Sequence, residues 1–131
     1  MTLKELSQLY YLNREISDLK LKIAEIEAKA TGTSVKITGM PHAPASHDII
    51  GRLVADLDYY KSVLSSRLEQ YRSEFERLNN YISGCDDSLT RQILTYRFIN
   101  GLPWTQVAAS IGGSTSEYAV KKAAYRYIKQ H

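Results

Sequence analysis

Two long stretches of the chain place apolar residues at alternating steps of three and four. In the first, Leu9, Leu12, Ile16, Leu19, Ile23, Ile26 and Ala30 keep one stripe in register over three heptads, the pattern of a helix laid along a partner helix. Arg14, Glu15, Asp18, Lys20, Lys22, Glu25 and Glu27 fill the faces between them. The spacing predicts a helix from about Leu3 to Ala30, stopped by Thr31-Gly32. In the second stretch, His47 to Ser83, Ile50, Leu57, Leu64, Tyr71 and Leu78 stand seven apart, with Leu53, Tyr60, Leu68, Phe75 and Ile82 between them. The order of steps reverses after Leu64, which turns the stripe round the helix and predicts one partner for its first half and more than one surface for its second.

Residues 31–48 hold two of the three prolines and sustain no period, so they read as a loop; Val35-Lys36-Ile37 is too short to predict a sheet. Neither amphipathic stripe can be left in water, and the simplest solution is a long antiparallel helical, coiled-coil hairpin. Stripes of this length also predict a homodimer or higher homo-oligomer.

Ser83-Gly84-Cys85-Asp86-Asp87 breaks the pattern, and three short helices are predicted beyond it. Asp87 or Ser88 is placed to cap a helix from Leu89 to Asn100, whose apolar face is Leu89, Ile93, Leu94, Arg97 and Phe98. Pro103 pre-sets the first turn of a helix from Trp104 to Ile111, ended by Gly112-Gly113. Ser114 and Glu117 have the spacing of a capping box, opening a last helix from Thr115 to about Lys129. On it Val120, Ala123, Ala124, Tyr127 and Ile128 would be buried. Ser116, Tyr118, Lys121, Lys122, Tyr125 and Lys129 would face outward, with Arg126 at the edge. The fold class expected is therefore all-α: a hairpin over residues 1–84 that oligomerises, followed by a three-helix helix-turn-helix module over residues 85–131.

Charge sharpens this division. The chain of 131 residues has 17 Lys and Arg against 14 Asp and Glu, a formal net charge of +3. Residues 1–84 contain 11 basic and 11 acidic side chains, so the whole excess lies in the last third, with four of its six cations after Tyr118. A helix, a glycine turn and a second helix with a basic outer face form the pattern that lays its second helix in the DNA major groove. Lysines there neutralise phosphates and release counterions. Small residues at Ala108, Ala109, Ala123 and Ala124 allow two helices to cross closely.

Other chemistry finds no foothold. A hydrophobic fraction of 44% excludes wholesale disorder, and a length of 131 residues bounds the chain to one domain, or one small domain and an extension. No apolar run reaches membrane-spanning length, and Glu5 stands where a signal peptide needs its apolar core, so a cytoplasmic protein without membrane contact is expected. Cys85 is the single cysteine and has Asp86 and Asp87 beside it, which disfavours a thiolate nucleophile. His42 and His47 lack a ligand cluster, and no phosphate-binding glycine loop or nucleophile elbow occurs. The expectation is a non-enzyme with neither metal nor cofactor.

The stretch from Leu89 to Gln130 resembles the region-four helix-turn-helix of bacterial sigma factors in its small phage and prophage form. The residues carrying the resemblance are Ile93-Leu94, Tyr96-Arg97-Phe98, Asn100-Gly101-Leu102, Trp104, Val107-Ala108, Ile111-Gly112-Gly113, Val120-Lys121 and Arg126-Tyr127. Thr38-Gly39-Met40-Pro41 is similar to the short segment between the coiled-coil helices of those proteins. The resemblance implies a sequence-specific, double-stranded DNA-binding transcriptional regulator and leaves contact with RNA polymerase open. No promoter-melting domain is recognisable, so a complete initiation factor is not expected.

The candidate DNA-binding residues fall into two classes. Lys121, Lys122 and Lys129 are candidate phosphate anchors, and Thr115, Ser116, Tyr118 and Tyr125 candidate base readers; Arg126, at the edge of the face, is a further candidate DNA contact. Thr105 and Gln106, on the helix before, are placed to reach backbone phosphates, whereas Trp104 reads as core. Two other readings fit the same pattern: a DNA-packaging component like the small terminase subunits of phages, and a helical scaffold that binds another protein. The first usually carries its DNA module ahead of its coiled-coil helices, the reverse of the order here.

Overall fold

The computed structural model describes residues 1–31 and 47–131. The loop with Thr38-Gly39-Met40-Pro41 and His42 lies outside them. The described residues are all-helical: α1 (Leu3–Ala30), α2 (His47–Ser83), α3 (Ser88–Leu94) continued by a π-helical turn (Thr95–Ile99), α4 (Trp104–Ile111) and α5 (Glu117–Gln130). They form two compact units, one of Met1–Asn13 with Gln70–His131 and the other of Arg14–Glu69. The boundary between these units passes through α1 and α2.

In the Arg14–Glu69 unit, the α1 stripe is covered as far as Ile26, and Ala30 is exposed. Ile16, Ile23 and Ile26 are buried and Leu19 half-buried. Glu15 pairs with Arg67 and Glu27 with Lys61, so residue numbers fall along α2 as they rise along α1, and the two segments run antiparallel. The α2 side is less covered: Leu53, Leu57, Tyr60 and Leu64 are half-buried, while Ile50, Val54 and Leu68 stay exposed.

The other unit has one continuous core. Leu6 and Leu9 of α1 and Leu78 and Ile82 of α2 join Ile93, Leu94, Phe98, Trp104, Val107, Ala108, Val120 and Ala124. Leu6, fully buried, extends the α1 stripe one step toward the N-terminus. Here Thr2 and Glu5 form a reciprocal cap: the Thr2 N–H donates to Glu5 Oε2 at 2.7 Å, and the Glu5 N–H donates to Thr2 Oγ1 at 3.2 Å. Arg77 donates to Glu5 Oε1 at 2.7 Å, tying α2 to α1. The Thr2 N–H, then Arg77, hold the Glu5 carboxyl at a pKa of about 2.

The segment after α2 departs from a simple helix. Asp87 caps α3, its carboxylate accepting from the Thr90 N–H at 3.1 Å and the Thr90 hydroxyl at 2.6 Å. The helix expected to reach Asn100 is α-helical only to Leu94, and a π turn then bonds the Asn100 N–H to the Thr95 carbonyl. The wider turn takes in one more residue than an α-turn. Phe98 is buried there with Ile93 and Leu94, while the Arg97 guanidinium donates to the Leu102 carbonyl at 3.0 Å and lies 4.8 Å over the Trp104 ring. Leu89, expected on the buried face, is 48% exposed because it sits in the first turn of α3, ahead of the core residues Ile93 and Leu94.

Candidate nucleic-acid interface

Packing fixes which face of α5 is presented. α3 packs against both α4 and α5, and α4 packs against α5. Val107 and Ala108 of α4 and Val120 and Ala124 of α5 are buried in that junction, where the alanines leave room for close approach. Ala123, Tyr127 and Ile128 are partly buried against the same core. The remainder of α5 is committed to the outside.

The turn between the two helices corrects one expectation. Gly112 and Gly113 both have positive φ, 84° and 66°, a conformation that costs a residue with a Cβ and is open to glycine. The chain leaves this turn extended through Ser116, whose ψ is 159°, and Ser116 rather than Ser114 caps the helix, its Oγ accepting from the Ala119 N–H at 3.1 Å. Helix α5 therefore starts at Glu117, two residues later than the capping-box spacing predicts, and Thr115 lies in the turn, half-buried. Glu117 sits in the first turn, where a carboxylate favours the helix dipole, and pairs with Lys121 at 3.5 Å.

Six of the ten candidate residues share a surface. Tyr118, Lys121, Lys122, Tyr125, Arg126 and Lys129 line a shallow groove of about 490 Å³ along the outer face of α5. Tyr118 is 71% exposed, and the Lys122 ammonium lies 5.9 Å over its ring. Tyr125 is 42% exposed and meets Trp104 edge-on, with ring centroids 5.8 Å apart. Trp104 itself is buried, packed edge-on to Phe98 and beneath Arg97. It acts as a buttress for Tyr125, a link that spacing along the chain does not reveal.

Compared with known proteins, the chain matches no family, no curated protein and no solved structure.

The other candidates stand apart from the groove. Ser116 is exposed, and its hydroxyl keeps a free donor while its oxygen caps the helix. Thr105 and Gln106 are exposed on α4, which carries no charged residue. Arg126 lines both the groove and a second hollow, bounded by Cys85, Asp87, Thr90 and Tyr127 among others. Burial, then nearby Cys85 and Asp86, raise the pKa of Tyr127 beside that hollow. Lys122, Arg126 and Lys129 form no ion pair among the described residues.

Electrostatically, the outer face of α5 is thus a row of four cations with a single carboxylate, and that carboxylate is at the end of the row. Among the described residues, no group of three or more His, Cys, Asp or Glu side chains could hold a metal ion, and no helix is long and apolar enough to cross a membrane.

Proposed function

We propose that this chain is a sequence-specific double-stranded DNA-binding transcriptional regulator of phage or prophage type. In this reading α4 and α5 are the helix-turn-helix pair, α5 enters the major groove, and α1 and α2 form a coiled-coil hairpin that joins two or more copies. The supporting observation is the exposed face of α5, where Lys122, Arg126 and Lys129 have no acidic partner among the described residues and stand beside two accessible tyrosines. Such a row suits a phosphate backbone, whose neutralisation releases counterions. The exposed Ser116 hydroxyl at the head of α5 and Thr105 and Gln106 on α4 are within the same module and add polar donors.

The oligomeric part of the reading draws on the Arg14–Glu69 unit. Ile50, Val54 and Leu68 of α2 remain exposed there although most of the α1 stripe is covered, and a second copy would remove them from water. Two reading heads held together raise the avidity for a pair of half-sites.

Changing both Lys121 and Lys122 to Ala tests the DNA-binding face. Duplex affinity measured by fluorescence anisotropy should fall for every sequence, and the slope of log K against log salt should flatten by about 1–2, near 0.9 for each phosphate that is no longer neutralised. An unchanged affinity and slope would show that this face does not meet DNA.

A further inference from the structure

The α5 groove has a chemical character that its cations alone do not explain. The walls between the ammonium and guanidinium heads are the rings of Tyr118 and Tyr125 and the methylene stems of Lys121, Lys122, Arg126 and Lys129. No carboxylate and no amide side chain lines it. The one carboxylate of α5, Glu117, is paired with Lys121, and the one amide, Gln130, lines the second hollow instead. Adenine edges are read by Asn or Gln and cytosine amino groups by Asp or Glu, so the groove lacks the usual partners of both; its Lys and Arg heads suit phosphates and guanine edges, which leaves the apolar surface between them to be matched.

One of its two rings is held from beneath. Tyr125 rests edge-on against buried Trp104, and Tyr118 stands open to solvent with the Lys122 ammonium over its ring, so both rings are accessible. An apolar groove with a cationic rim needs an occupant with an apolar centre and anionic flanks. In the major groove of a duplex, the apolar group on a base edge is the C5-methyl of thymine, with phosphates on either side.

Building on the DNA-binding reading above, we propose that this groove receives thymine methyl groups and that contact with Tyr118 and Tyr125 is the sequence-reading step. The cations set affinity and the tyrosine rings set which base lies beneath them.

The experiment uses the full chain and the tightest duplex recovered from a random-sequence pool. Each thymine in it is replaced in turn by deoxyuridine, which removes the methyl and leaves base pairing unchanged. Replacement at a contacted position should weaken binding about fourfold, the equivalent of one buried methyl. Tyr118→Ala should bind the thymine duplex more weakly and become insensitive to that replacement, whereas Tyr118→Phe should stay sensitive. Tight binding to the selected duplex with no response to uracil at any position would overturn the inference and leave the DNA-binding reading standing. Failure to bind any duplex, with binding to phosphatidylglycerol vesicles instead, would overturn both.

Discussion

Helices α4 and α5 bury similar small and branched side chains against each other, yet they present opposite surfaces. α4 carries no charge, and its exposed positions are Thr105, Gln106, Ala109 and Ser110. α5 sets four cations and two tyrosines along its outside. The core contribution explains the shared apolar face, and nothing in the core requires the basic one. The difference separates an uncharged helix from a basic one, with Trp104 of the first in edge-on contact with Tyr125 of the second.

Removing that contact should have the largest effect. Trp104→Ala takes away a buried ring that meets Phe98, Tyr125 and Arg97, and should cost about 3–5 kcal/mol in urea-monitored unfolding. A loss no larger than that of an exposed position would mean that α4 does not support α5. Ser116→Ala should cost less, about 1 kcal/mol, by removing the acceptor for the Ala119 N–H, and Ser114→Ala should leave stability nearly unchanged. Equal losses for the two serines would move the helix start back to Thr115. The smallest effect is confined to acid. The Thr90 hydroxyl and then its N–H lower the pKa of Asp87, so the cap on α3 contributes stability above the ordinary aspartate pKa and loses it as pH falls through the lowered value. Asp87→Asn keeps an acceptor that does not titrate, and circular dichroism should show a shallower acid-side decline in its melting temperature. An identical decline would place the acid sensitivity elsewhere, for instance at Glu5.

Much of the helical layout was legible because it depends on period and on strong local stops. The stripes of α1 and α2 bounded both long helices, and Pro103 with Gly112 bounded α4. What escaped depends on details that period does not encode. A π turn needs one residue of slack, and Thr95–Ile99 contains no Gly or Pro to mark it. Ser114 and Ser116 are both capable caps, and the choice between them follows from two successive left-handed glycines. Two features absent from the expected layout do carry a local signal: the Thr2–Glu5 cap has a Thr-x-x-Glu spacing, and Leu6 is one more step of the α1 stripe. Of the candidate interface, the i, i+3, i+4 positions on α5 came together as helical geometry requires. Support of Tyr125 by Trp104 is a tertiary contact between residues far apart in sequence, with no local signal.

The neutrality of α4 has a kinetic consequence. Because every cation of the α4–α5 pair lies on one rod, the pair has a strongly lopsided electric field, and a polyanion drifting nearby exerts a torque that swings that rod forward before any atoms touch. Encounters would then be pre-aligned at low ionic strength and become orientationally random as added salt shortens the reach of the field.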